Sequence, residues 1–167
     1  KHILQLDAKY YVISSTSWNG VIYTNPNLKS QYDDLFSSQT TFEKNGIHFI
    51  PVVDFESGRE AAFNKGNKTL YFITNYGLKI FSDKKVKTIS NDKNLTLIQL
   101  GLIDNQLFVL SESEKLYKLR EDNKLELYSF PEDFSNAKIK TIYLIKNNIY
   151  IQKEQAVYNY NPKTKKI

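Results

Sequence analysis

The chain of 167 residues contains no cysteine and no methionine, only two histidines and one tryptophan, and few glycines (6) or prolines (4). Without cysteine there are no disulfides, no thiol nucleophile and no thiolate-ligated zinc, and neither side of a membrane is excluded. Two histidines, His2 and His48, stand far apart and outside any HxxxH or HExxH spacing, so they read as structural residues and not as metal ligands. No apolar run approaches the roughly eighteen residues that a transmembrane helix needs, and no basic-then-apolar leader precedes a cleavage site. With Lys1 first and no Met, the expectation is a segment excised from a longer protein. Gly-rich phosphate loops, GxSxG elbows and an ordered Ser/His/Asp set are also missing. The composition therefore points away from catalysis and away from any cofactor.

What is present is β signal. Hydrophobic residues make up 41% of the chain and aromatics 14%, enough for one domain core, while 25% charged residues keep the chain out of a bilayer. The net charge of +5 is carried by lysines scattered through turns such as "SDKKVK" and "NPKTKK", which does not make the basic face that nucleic acid requires. Runs of β-branched and aromatic residues alternate over four to eight positions between Asn, Asp, Gly, Ser and Pro. Several runs, "TLYFIT" and "QLFVLS" among them, lack a polar face, which implies strands covered on both sides. Only "DDLFSSQTTFEK" and "FESGREAAFNK" have any helical period, and both are short.

The runs repeat. Aligning "GVIYTNPN", "GLKIFSDK", "KLYKLRED" and "AVYNYNPK" places Val21, Leu78, Leu116 and Val157 in one column, at spacings of 57, 38 and 41 residues. A period near 40 with about four strands per unit is the pattern of β-propeller blades, each covering its neighbour's face. The expected architecture is all-β: four consecutive four-stranded antiparallel units over residues 1–44, 45–92, 93–134 and 135–167, forming part of a larger propeller. "IHFIPVV" leads the second unit in this reading, "SQYDDLF" closes the first and the terminal "KKI" closes the fourth. The long first interval is assigned to an extended passage over 37–45 and to an insertion over 54–67 that protrudes from the blade. Acids and a base of that insertion, Asp54, Glu56, Arg59 and Glu60, match no calcium loop and read as solvated. The sequons at Asn67 and Asn94 read as turn residues.

The motifs "WNGVIYTNPN", "NYGLKIFSDKK" and "NNIYIQKEQAVYNYNPKTKKI" resemble two-component regulator propeller repeats, in which a strand, a threonine and asparagine-glycine break and a "GLYRYD"-type strand recur. Thr74, Asn75, Tyr76, Gly77 and Leu78 carry that break, as do Trp18, Asn19 and Gly20, whereas the third and fourth units have Lys115 and Ala156 in place of glycine. The resemblance implies a non-enzymatic sensor segment from an extracytoplasmic (periplasmic) propeller of a bacterial signalling regulator. Its ligand, a small molecule such as a glycan, is then met by loops of several blades. Those loops supply Trp18 and Asn19, Asn75 and Tyr76, Glu112 and Glu114, and Glu154 and Gln155, and Trp18 suits stacking on a sugar ring. Two other classes remain open: a protein-interaction scaffold, and a propeller lyase or hydrolase that would need a His, Arg or acid constellation. Partners are the remaining blades of the parent chain or a second copy, because four blades without a disulfide leave the end faces uncovered.

Overall fold

The computed structural model describes residues 2–15, 19–53, 58–89, 95–131, 139–145 and 147–167. Their architecture is all-β: four antiparallel sheets taken up in chain order, with one helical turn. Two compact units divide the chain, residues 1–91 and 92–167, and each holds two sheets.

In the first unit, β1 (His2–Gln5), β2 (Tyr10–Ser14) and β3 (Asn19–Tyr23) form a meander. The chain then leaves the sheet, forms the four-residue helix α1 (Asp33–Phe36), and returns as the hairpin β4 (Phe42–Lys44) and β5 (Ile47–Val53). β5 docks on β3, with Val21 opposite Ile50 and Ile22 opposite Phe49, so the strand order is β1-β2-β3-β5-β4. The second sheet runs in order through β6 (Gly58–Asn64), β7 (Thr69–Thr74), β8 (Gly77–Ser82) and β9 (Lys85–Ile89). Between the two sheets Val12, Val21, Ile50 and Val52 meet Phe63, Leu70, Phe72 and Phe81, and Tyr32, Leu35 and Phe36 of the excursion close the end of that core. Phe36 stacks on Phe81 and Tyr32 meets Phe63 edge-on. Every residue of β7 is buried, as its unbroken apolar run requires.

The second unit contains β10 (Leu97–Ile103), β11 (Gln106–Ser111), β12 (Leu116–Leu119) and β13 (Leu125–Leu127) in one sheet, and β14 (Ile139–Ile145), β15 (Asn148–Lys153) and β16 (Ala156–Tyr160) in the other. Their shared core holds Phe108, Leu110, Leu116, Ile142, Leu144, Ile149, Ile151 and Tyr160. Tyr128 and Tyr160 join hydroxyl to hydroxyl at 2.9 Å beside Phe130.

Four strand assignments change against the sequence reading. "IHFIPVV" is the inner strand of the first sheet and does not lead the second: Asn45 and Gly46 both take positive φ, 55° and 74°, and fold it back onto β4 as a two-residue hairpin. The second sheet is led instead by Gly58–Asn64, which the sequence reading places in a protruding insertion; Ala61, Phe63 and Asn64 are buried in it. Residues 54–57 lie outside the described residues. "SQYDDLF" forms a turn and α1, because Leu35 and Phe36 reach the core from a helical turn and β5 has taken the place of the closing strand. The last sheet has three strands; Asn161 and Lys166 make a single bridge where a fourth strand was expected. Pro162 and the Asn161 side chain, which accepts from the backbone N–H of Lys163 and Thr164, turn the chain there.

Candidate functional site

The second strands of the first three sheets end alike. The second strand ends on a buried hydroxyl, Ser14, Thr74 or Ser111, in the first three sheets. Ser14 Oγ donates to Asn19 Oδ1 (2.8 Å), Thr74 Oγ1 donates to the carbonyl of Gly77 (3.0 Å), and Ser111 Oγ donates to the carbonyl of Lys115 (3.2 Å). Thr74 Oγ1 also accepts from the backbone N–H of Tyr76, and Ser111 Oγ from that of Lys115. Thr74 and Ser111 thus tie the end of one strand to the turn that follows it, and Ser14 ties the end of β2 to the start of β3. The Ser or Thr that closes "YYVIS", "TLYFIT" and "QLFVLS" was the signal for this column.

The expected ligand residues separate into three situations. Trp18 lies outside the described residues. Asn19 is buried at the first strand pair, and Gly58 packs so closely over it that a Cβ on Gly58 would fall on Asn19 Oδ1; its side chain is structural and offers nothing to a ligand. The other six are exposed on turns, paired by sequence: Asn75 with Tyr76, Glu112 with Glu114, and Glu154 with Gln155. Tyr76 is the most exposed large hydrophobic side chain on the described surface, at 71%. Glu114 and Glu154 hold positive φ in their turns. His48 stacks flat on Tyr23 with ring centres 4.7 Å apart, a packing role. Among the described residues no three His, Asp or Glu side chains gather where a metal could sit.

A second feature escaped the sequence. Lys9 is buried, its Nζ 2.7 Å from Asp33 Oδ1 and over the rings of Tyr10 and Tyr23. Tyr10 donates its hydroxyl to the same carboxylate oxygen, Ser30 donates its backbone N–H to the other, and the Ser30 hydroxyl donates to Asp7. These bonds clamp the 24–41 excursion onto β2, beside a cleft of about 230 Å³ lined also by Ser37, Gln39 and Thr41. The Lys9 ammonium, with the Ser30 and Tyr10 donors, holds the Asp33 carboxyl down at about 2. A folded-state value below the unfolded one stabilises the fold above about pH 4, and that contribution is lost as pH falls toward 2. The thermal midpoint of the protein is therefore expected to fall between pH 4 and pH 2. In Asp33→Asn it should start lower and fall less steeply, as read by circular dichroism melts at a series of pH values.

The third feature is the first sheet's other face. Ile3, Ile13, Ile22, Phe49, Phe42 and Ile47 line an open concavity of about 760 Å³, edged by Ser15, Glu43, Lys44 and Asn45. Ile3 is 63% exposed, Phe42 54% and Ile47 43%. An open apolar sheet face of this size is of the kind that marks interaction sites.

No protein-family model matches the chain, and no curated protein matches it.

Proposed function

We propose that the chain is a non-enzymatic recognition segment of a larger propeller, from an extracytoplasmic bacterial regulator, and that its hairpin turns take a small ligand such as a glycan. The observation that carries this reading is Tyr76. A large aromatic ring stands in solvent at the tip of a turn braced by Thr74, next to Asn75, and that pairing supplies a stacking face with an amide beside it. Presenting the ring on a stiff turn lowers the ordering cost of binding. Binding is then relayed to a partner domain as a change in packing. The open face of the first sheet favours a second reading, a scaffold that docks protein partners.

A thermal-shift screen against a glycan panel tests the proposal. A ligand present at about 100 times its Kd stabilises the folded state by about 2.7 kcal/mol. Tyr76→Ala should abolish that shift while leaving the unliganded midpoint nearly unchanged, because its ring packs little surface. A panel that leaves the wild type unmoved, or a shift that survives in Tyr76→Ala, contradicts the proposal.

A further inference from the structure

The cleft beside Lys9 lies away from the turns that carry the proposed function. Gln39, on its rim, donates to the carbonyl of Lys84 between β8 and β9, whereas Tyr76 stands between β7 and β8, at the other end of β8. Its floor is apolar, made of the buried Phe36 and Ile50 and the ring of Tyr10, and exposed Ser37 and Thr41 stand at its mouth. Into this lining the fold sets an ion pair with bonding capacity to spare. Lys9, 8% exposed, gives one N–H to Asp33 Oδ1 at 2.7 Å and reaches the Pro26 carbonyl only at 3.5 Å, so its third N–H has no oxygen acceptor among the described residues. Asp33 accepts from Lys9 and Tyr10 on Oδ1 and from the Ser30 N–H on Oδ2, which leaves Oδ2 room for a further donor, and its side chain is 37% exposed. We propose that this cleft binds a small zwitterion, a free α-amino acid, whose carboxylate takes the spare N–H of Lys9 and whose ammonium meets Asp33 Oδ2.

Charge and size select this class. An added anion would bring its charge beside Asp33, which the Lys9, Ser30 and Tyr10 donors keep ionised well below neutral pH, and an added cation would face the Lys9 ammonium. A molecule that carries both charges on one carbon sets each opposite its complement, and charge-assisted bonds of that kind are the strong ones. The rings of Tyr10 and Tyr23, their centres 5.1 and 5.5 Å from Lys9 Nζ, hold the ammonium more weakly than a carboxylate oxygen does. The volume of about 230 Å³ falls short of the roughly 300–1,000 Å³ that drug-sized ligands occupy, so the ligand is small, and Phe36 and Ile50 leave a short side chain an apolar floor to cover. Tyr10 and Ser30 already hold Asp33 in place, which lowers the ordering cost of binding. The inference is independent of any ligand at the turns, because Tyr76 takes no part in this cleft.

NMR titration of the isotope-labelled chain with glycine, L-alanine, L-serine and L-valine at neutral pH tests it. At least one should move the backbone amide signals of residues 9, 33 and 36–41 to saturation. N-acetylation of that amino acid removes its ammonium and amidation removes its carboxylate, and each change should weaken binding at least about tenfold. Thr41→Trp sets a ring over the mouth from an exposed position, so the protein should fold, which circular dichroism verifies, and the titration should be lost. Tyr76→Ala should titrate like the wild type, so a failure of this inference and a failure of the turn reading are told apart. The proposal is overturned if none of the four amino acids moves these signals, if the N-acetyl or amide derivative binds as well as its parent, if D-glucose moves the same signals as strongly, or if Thr41→Trp titrates unchanged.

Discussion

Gly20→Val is expected to destabilise the protein by at least about 3 kcal/mol and to open the first sheet between β3 and β5. A Cβ at Gly20 would lie 2.2 Å from the carbonyl oxygen of Ile50 and 2.9 Å from Cζ of Phe49. The ring of Phe49 could turn aside, but the Ile50 carbonyl belongs to the strand that pairs with β3, so relief requires the strands to part. Overpacking a well-filled interior costs about 1–3 kcal/mol when side chains can adjust, and more when backbone must move. Against a total stability of about 5–15 kcal/mol this is a large fraction. Urea unfolding measures it, with Ile3→Ala, at a 63% exposed position, as the near-neutral control. A loss under 1 kcal/mol would mean that β5 does not lie against Gly20.

The second large effect separates residues that the repeat treats as equivalent. Leu78→Ala and Leu116→Ala should each cost about 2–5 kcal/mol, as buried leucines do when a cavity is left behind. Val157→Ala, in the same column, should change stability by no more than about 0.5 kcal/mol. All three sit one residue past the close of a hairpin, but Leu78 pairs with both Ile73 and Ile89 and is 0% exposed, and Leu116 is 1% exposed. Val157 lies on the last strand of a three-stranded sheet, opposite Gln152, and is 59% exposed. Chemical denaturation of the three variants reads this directly. A Val157→Ala penalty as large as that of Leu78→Ala would show that the last sheet's second face is covered in solution.

Strands with two apolar faces were legible because only β structure buries "TLYFIT" or "QLFVLS" on both sides, and the turns between them announced themselves through Asn, Asp and Gly. The partner of a strand was not legible in the same way. "IHFIPVV" alternates identically whether it leads a new sheet or inserts beside β3, and the choice was made by Gly20, which alone leaves room for Phe49, and by the Asn45-Gly46 turn. "GREAAFN" reads poorly as a strand by propensity, yet Gly58 is needed where the backbone passes over Ser14 and Asn19, and Ala61 and Phe63 face the core. Of the site, the six turn residues were visible as turn residues. The burial of Asn19 was hidden, since the Asn-Gly break lies inside the first pair of β3 and not in the loop. Lys9 and Asp33 are 24 residues apart in segments that look like ordinary charged loops, so nothing short of the fold brings them to 2.7 Å. Nor does an apolar alternation tell which of its faces will be left open.

The place of β5 decides both the architecture and the open face of the first sheet, because Ile47 and Phe49, two of the six apolar residues that line it, belong to that face only if the strand lies in the first sheet. The chain has no cysteine, so a single introduced pair can be read without background. Ile22 and Phe49 are opposite one another across β3 and β5, a relation that sets Cα atoms about 4.5–5.5 Å apart and within disulfide reach. Under mild oxidation, Ile22→Cys with Phe49→Cys should cross-link within one chain, whereas Phe49→Cys with Tyr71→Cys should not. A cross-link between 49 and 71, with none between 22 and 49, would place "IHFIPVV" in the second sheet and contradict the account.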